Sequence, residues 1–216
     1  MFPDIYVLND FYERDYVYIN NGDGTFKEFL KDYIGHISFS SMGADMADIN
    51  NDGFSEIYVI DMLPEGDTRL KKTTDFETYD IYNLKVKRDF YHQFQQNTLQ
   101  LNNRNETFSE IANYSGLAQN DWSWGPLIFD MDNDGYQDIF VTNGIYRDLT
   151  DQDFIEFFSN KIVQKMILSG IKEEVDSIIN KMPSTPIPNY AFRNNGDLTF
   201  TNKSVEWGLN TPSFSN

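Results

Sequence analysis

The 216-residue chain has no cysteine, which excludes a disulfide framework, a thiolate metal site and a cysteine nucleophile. The same absence favours a bacterial over a eukaryotic extracellular setting. Histidine is almost as scarce: His36 and His92 are the only two, too few for an imidazole-rich zinc centre. Basic residues number 17 against 34 acidic ones, a formal net charge of −17. Phosphate backbones would be repelled by such a surface, so no nucleic-acid partner is expected. No apolar run approaches the roughly 18 residues of a membrane-spanning helix, and no signal peptide is recognisable. A soluble piece without a transmembrane segment is therefore expected. Missing too are G-x-S-x-G, H-E-x-x-H, a phosphate-binding Walker loop and a dinucleotide fingerprint, so the chain is read as non-catalytic.

What is abundant is ring area. Eighteen Phe, 13 Tyr and 3 Trp make up 16% of the residues, enough apolar surface to offset the entropy of ordering the chain. With frequent glycine punctuation this composition leans towards strands.

The sequence repeats itself. Segments from Tyr16 (YVYINNGDGTFKEF), Asn97 (NTLQLNNRNETFSEI) and Asn189 (NYAFRNNGDLTFTNK) share a strand, Asn-Asn, a turn, Thr-Phe and a second strand. Their phenylalanines, Phe26, Phe108 and Phe200, are 82 and then 92 residues apart. Interleaved with these are SMGADMADINNDGFSEIYVID from Ser41 and SWGPLIFDMDNDGYQDIFVTN from Ser123, again offset by 82. Asp4-Ile5-Tyr6-Val7 reads as the end of a further copy. Each unit is strand, acidic loop, strand, insertion, strand, turn, strand. In the complete unit the strands are expected at Phe39–Ala47, Ile57–Asp61, Thr98–Asn102 and Phe108–Tyr114. Four short antiparallel strands per repeat predict an all-β fold, a partial β-propeller of about three four-stranded blades. The expected division is a partial blade over 1–36, a complete blade over 37–118, a third over 119–208, and the start of another over 209–216. Three blades do not close a ring, so the remaining blades of the same propeller are expected elsewhere in a longer protein.

Two insertions interrupt the rhythm. Residues 149–182 carry Phe154, Phe158, Ile162, Met166, Ile171, Val175, Ile178 and Met182 at near-helical spacing, predicting a helical insertion split at Gly170 and closed by Pro183. Thr150 and Asp153 have capping-box spacing, and Asp148, Asp151 and Asp153 read as a solvated helix start. That helix is expected to cover a blade edge. Residues 63–95 are polar and aromatic without clean periodicity. Trp122 and Trp124 share one face of a strand, and burial between blades is preferred to a sugar-stacking platform.

The acidic loops carry the chemistry. Loop one runs Asp48, Asn50, Asp52, Gly53, Phe54, Glu56, and loop two runs Asp130, Asp132, Asp134, Gly135, Tyr136, Asp138. Oxygen side chains fall at positions 1, 3, 5 and 9, Gly at 6, and a backbone carbonyl (Phe54, Tyr136) at 7. Side chains at alternate positions curl around one point, supplying the hard oxygens that Ca²⁺ takes in groups of about six to eight. An ordinary Asp/Asn/Gly turn is the competing explanation, weakened because the pattern recurs at equivalent places. Position 12 is Val59 or Val141 in an apolar strand, so these are not EF-hands. Loop two has one carboxylate more than loop one and is expected to bind more tightly.

D-x-[DN]-x-D-G-x-x-[DE] followed by I-[YF]-V resembles the FG-GAP/VCBS repeats of integrin-α-type propellers. DMLPE at 61–65, FYHQ at 90–93, NTLQLNN at 97–103 and DWSWGP at 121–126 are similar to bacterial VCBS-repeat proteins associated with ASPIC/UnbV domains. The resemblance implies a Ca²⁺-binding propeller, seven-bladed when complete. Weak, structural calcium sites suit an extracellular, outer-membrane-surface or periplasmic location. The function expected is a calcium-binding module for adhesion to a glycan or protein ligand at the cell surface. The alternative is part of a polysaccharide-processing enzyme whose site lies in other blades.

Overall fold

The computed structural model describes residues 2–169 and 179–215. Most of the regular structure is antiparallel sheet in three successive units. The first is β1 (Ile5–Val7), β2 (Tyr16–Asn20) and β3 (Phe26–Glu28), followed by the short α1 (Leu30–Tyr33). A small parallel pair comes next, β4 (Ile37–Ser38) with β7 (Gln93–Phe94). The second unit orders β5 (Gly43–Ala47), β6 (Glu56–Ile60), β8 (Thr98–Asn102) and β9 (Phe108–Glu110). The third orders β10 (Ser123–Phe129), β11 (Asp138–Asn143), β12 (Tyr190–Asn194) and β13 (Phe200–Asn202) in the same way. Within each, sequence neighbours pair antiparallel, as in a propeller-like blade.

The Asn-Asn turns explain why the repeat is visible. In each, the first Asn accepts from the N–H two residues on: Gly22 to Asn20, Arg104 to Asn102 and Gly196 to Asn194, all at 2.9 Å. The second Asn pairs its backbone N–H with the Thr carbonyl, at 3.0 Å in all three turns. The residue two before the Thr accepts the Thr N–H, from Thr25 to Asp23, Thr107 to Asn105 and Thr199 to Asp197. Asx geometry is therefore common to all three hairpins, whether or not glycine is present in the turn.

The apolar core lies between sheets rather than within one. Tyr58, Ile60 and Leu99 of the second unit pack with Ile139, Val141 and Phe192 of the third. Val17, Leu30, Ile34 and Ile37 form a second cluster, against which Tyr6, Tyr91 and Phe108 lean. The units also meet at β5 and β10, where the Ile128 N–H donates to Asp45 at 2.7 Å. Gly43 is required there, because a Cβ would stand 2.6 Å from the Trp124 carbonyl oxygen. Trp122 and Trp124 are half-buried with ring centroids 6.3 Å apart, and Trp124 Nε1 donates to the Gly144 carbonyl at 2.7 Å.

Several local expectations need correction. The strand expected from Phe39 begins at Gly43: the Phe39 N–H is shared between the Phe94 carbonyl beside the β4–β7 pair and the buried carboxylate of Asp61, and the Ser40 N–H donates to the same carboxylate. The last strand stops at Glu110, and Ala112–Ser115 is helical (α4), closed by Gly116 at φ 77°. Glu110 starts that turn by accepting the Ala112 N–H at 2.6 Å. The stretch without periodicity, 63–95, contains α2 (Asp67–Thr73) and α3 (Tyr79–Lys87). In the other insertion a π-helical turn, Phe154–Ser159, runs into α5 (Asn160–Ser169). Its cap is Asp151, which accepts the Phe154 N–H at 2.7 Å, and not the Thr150–Asp153 pair. Asp148 and Asp151 are buried rather than solvated, Asp148 beside Arg69 at 2.8 Å. The split at Gly170 and the downstream positions Ile171, Val175 and Ile178 lie outside the described residues.

Candidate metal centre

The two acidic loops join β5 to β6 and β10 to β11, so they stand at the same end of neighbouring sheets. Their backbones match. Asn51 and Gly53 have φ 58° and 89°, and Asn133 and Gly135 have 61° and 90°. Both conformations are left-handed, which suits Asn and Gly and strains most other residues. The first Asp of each loop closes the turn: Asp48 accepts from Asp52 and Gly53 N–H at 3.0 and 2.7 Å. Asp130 does the same from Asp134 and Gly135, at 3.1 and 3.0 Å.

The ninth position has a second duty. Asp138 accepts the Met131 N–H and the Asn194 N–H, both at 2.9 Å. Glu56 accepts Ile49 and Asn102 at 3.0 and 3.4 Å, and both carboxylates are fully buried. In the first unit Asp4 takes the same role towards Asn20 at 2.9 Å. This carboxylate thus ties the acidic loop to the Asn-Asn turn. Burial raises the Glu56 and Asp138 carboxyls above their ordinary value, the backbone donors pull them back, and neighbouring loop aspartates push them up again.

In loop two, Asp130, Asp132 and Asp138 each bring one oxygen to within 4.8 Å of the others. Such an all-oxygen set could hold a hard metal ion. Loop one forms no such group of three acidic side chains, its third position being Asn50. Asp134 stays outside the group. One of its oxygens accepts the Tyr136 N–H at 2.9 Å, and the other meets Arg193. The two histidines lie elsewhere, His36 Nε2 at 3.5 Å from Glu110 and His92 Nδ1 at 2.7 Å from Tyr82.

The sequence reading missed the two arginines. Arg193 pairs with Asp132 at 2.6 Å and with Asp134. Arg104 pairs with Asp52 at 2.5 Å and holds that carboxyl below its ordinary value. The available signal was a lone cation beside an Asn-Asn turn in an acidic chain.

Repeated four-stranded antiparallel units with an acidic turn between their first two strands define a propeller-like repeat protein. The FG-GAP-like repeat model matches residues 1–59 and 89–141, just over half of the chain, and the chain belongs to that family. No curated protein matches it. The unmatched residues include most of the 63–95 insertion and all of the helical one.

Proposed function

We propose that the chain is part of a calcium-stiffened β-propeller, seven-bladed when complete, acting as a non-catalytic binding module at a bacterial cell surface or outside it. The observation that carries this reading is the Asp130–Asp132–Asp138 oxygen cluster in a turn whose backbone is duplicated in the preceding unit. Loop two would hold the ion through Asp130, Asp132, Asp134, the Tyr136 carbonyl and Asp138. Loop one would use Asp48, Asn50, Asp52, the Phe54 carbonyl and Glu56, more weakly. The ion's part is structural, cross-linking the first two strands of a blade and cancelling like charges that otherwise repel. Extracellular calcium modules bind at roughly 10⁻⁴ to 10⁻³ M. At about 1 mM Ca²⁺ and a Kd of about 0.1 mM each site adds about 1.4 kcal/mol. The sequence resemblance to VCBS-repeat proteins, the net charge of −17 and the absence of cysteine support a surface location and a glycan or protein ligand.

The test is a thermal melt in EDTA, then with Ca²⁺ and separately with Mg²⁺. A rise with Ca²⁺ that Mg²⁺ does not match and that Asp130→Ala reduces supports the reading. No shift in a folded, metal-free chain overturns it.

A further inference from the structure

Because strands alternate in direction, the connections that leave β1, β6 and β11 emerge at the end opposite the acidic loops. Residues from 11–12, 62–95 and 149–155 of these connections, with Phe39, Ser40 and Gln119, wall a cleft of about 930 Å³. This lies in the upper part of the roughly 300–1,000 Å³ range of small-ligand sites and has room for several sugar rings.

The walls combine two chemistries. One is aromatic: Tyr12 and Phe39 meet edge to face at 5.6 Å, and Tyr82 stacks on Phe94 at 5.8 Å, while Phe76 and Tyr79 stand 66% and 76% exposed. The other is polar, from Gln93, Gln95, Gln119 and Gln152 with Ser40 and Thr74, beside the carboxylates of Asp75 and Glu77. Gln93 Oε1, Ser40 Oγ and Thr74 Oγ1 lie just beneath the wall with no hydrogen-bond partner among the described residues. Such groups want a water or a ligand hydroxyl. Among the described lining residues the one cation, Lys85, is already paired: it is buried, 2.9 Å from Glu77 and 4.3 Å above the Phe39 ring. An anionic ligand would find no free positive charge among the described lining residues and would face Asp75 and Glu77, and a purely apolar one would leave the amides dry.

We propose that this cleft, on the face opposite the acidic loops, binds a neutral oligosaccharide, its rings against the aromatic faces and its hydroxyls on the glutamine and hydroxyl side chains. The proposal deepens the binding-module reading given above and is independent of the calcium.

The test is calorimetric titration of the intact chain with neutral tetraoses of glucose, mannose, galactose and xylose, in Ca²⁺ and in EDTA, beside an uncharged Phe/Tyr-rich peptide. At least one tetraose should bind at millimolar concentration or below. The exposed-ring variants Phe76→Ala and Tyr79→Ala should each weaken it about tenfold while the melting temperature holds. No tetraose binding, binding that neither variant weakens, or binding of the peptide alone overturns the proposal. A melt that responds to calcium without tetraose binding sinks the sugar site and leaves the calcium reading standing. Tetraose binding in a chain whose melt ignores calcium does the reverse.

Discussion

The side-chain amide of Asn51 donates to the backbone carbonyl of Gly135 at 3.1 Å, linking the acidic loop of one unit to that of the next. A deeper link runs alongside it. Asn194 Nδ2 donates to the Ile49 carbonyl at 2.8 Å and to the Gln137 carbonyl at 3.0 Å, from a buried position. The loops are therefore parts of one hydrogen-bonded seam, and what orders one bears on the other.

Asn194→Ala should expose that dependence. It strips partners from two carbonyls and from the Gly196 N–H, and lost buried hydrogen bonds cost about 1–3 kcal/mol. The neighbouring Asn195 is exposed, and Asn195→Ala should cost less. Chemical denaturation of the two variants checks the contrast; equal losses would show that the seam carries little.

Arg193→Ala should raise divalent-cation affinity at loop two. Its guanidinium sits on Asp132 and Asp134, two of the proposed ligands, so cation and arginine compete for the same oxygens. The metal-free fold should lose little, because an exposed ion pair adds little net stability. Calcium titration of variant and parent decides it; lower affinity in the variant would make the arginine a supporting group instead.

The blade pattern was legible because Thr-Phe, Asn-Asn and D-G recur where local geometry demands them, and the β8 boundaries Thr98–Asn102 agree with expectation. Side-chain partners across units were not legible. Nothing local in the sequence says that Asp61 will accept from the Phe39 and Ser40 N–H groups, or that Arg69 will pair with the buried Asp148. The acidic turns at 48–56 and 130–138 were readable from spacing alone, whereas the three-carboxylate group that the structure brings together lies in the second of them only. That Glu56 and Asp138 also clasp the Asn-Asn turn depends on a strand more than 40 residues away.

Stability should rise as pH falls from 7.5 towards 5. Burial pushes the Asp61 and Asp15 carboxyls from 3.8 to about 6, against the pull of their hydrogen-bond donors. A raised folded value means that the native state holds the proton more tightly than the unfolded chain. The stabilisation is complete below about pH 4 and is lost as pH rises through about 6, up to about 3 kcal/mol per group. Melting temperatures across this range in EDTA should show the slope, and Asp61→Asn should flatten it. A slope of opposite sign would mean that the donors around these carboxylates outweigh their burial.

Glu106→Gly should stabilise the fold. The three Asn-Asn turns share one geometry, and at the position where the first has Gly24 at φ 88° the second has Glu106 at φ 69°. A left-handed residue with a Cβ costs about 1–2 kcal/mol, and the extra freedom of glycine when unfolded returns about 0.5–1. The net gain is about 0.5–1 kcal/mol, or roughly 1–4 °C in Tm for a chain of this size. Glu106 is the informative site because it is exposed. Leu198, at φ 69° in the third turn, also packs against the core and would lose that contact. Leu198→Gly should therefore gain less or destabilise, and the difference between the two variants separates backbone strain from packing. If Glu106→Gly lowers Tm while Leu198→Gly is neutral, strain in these turns is not what the repeat's glycines relieve.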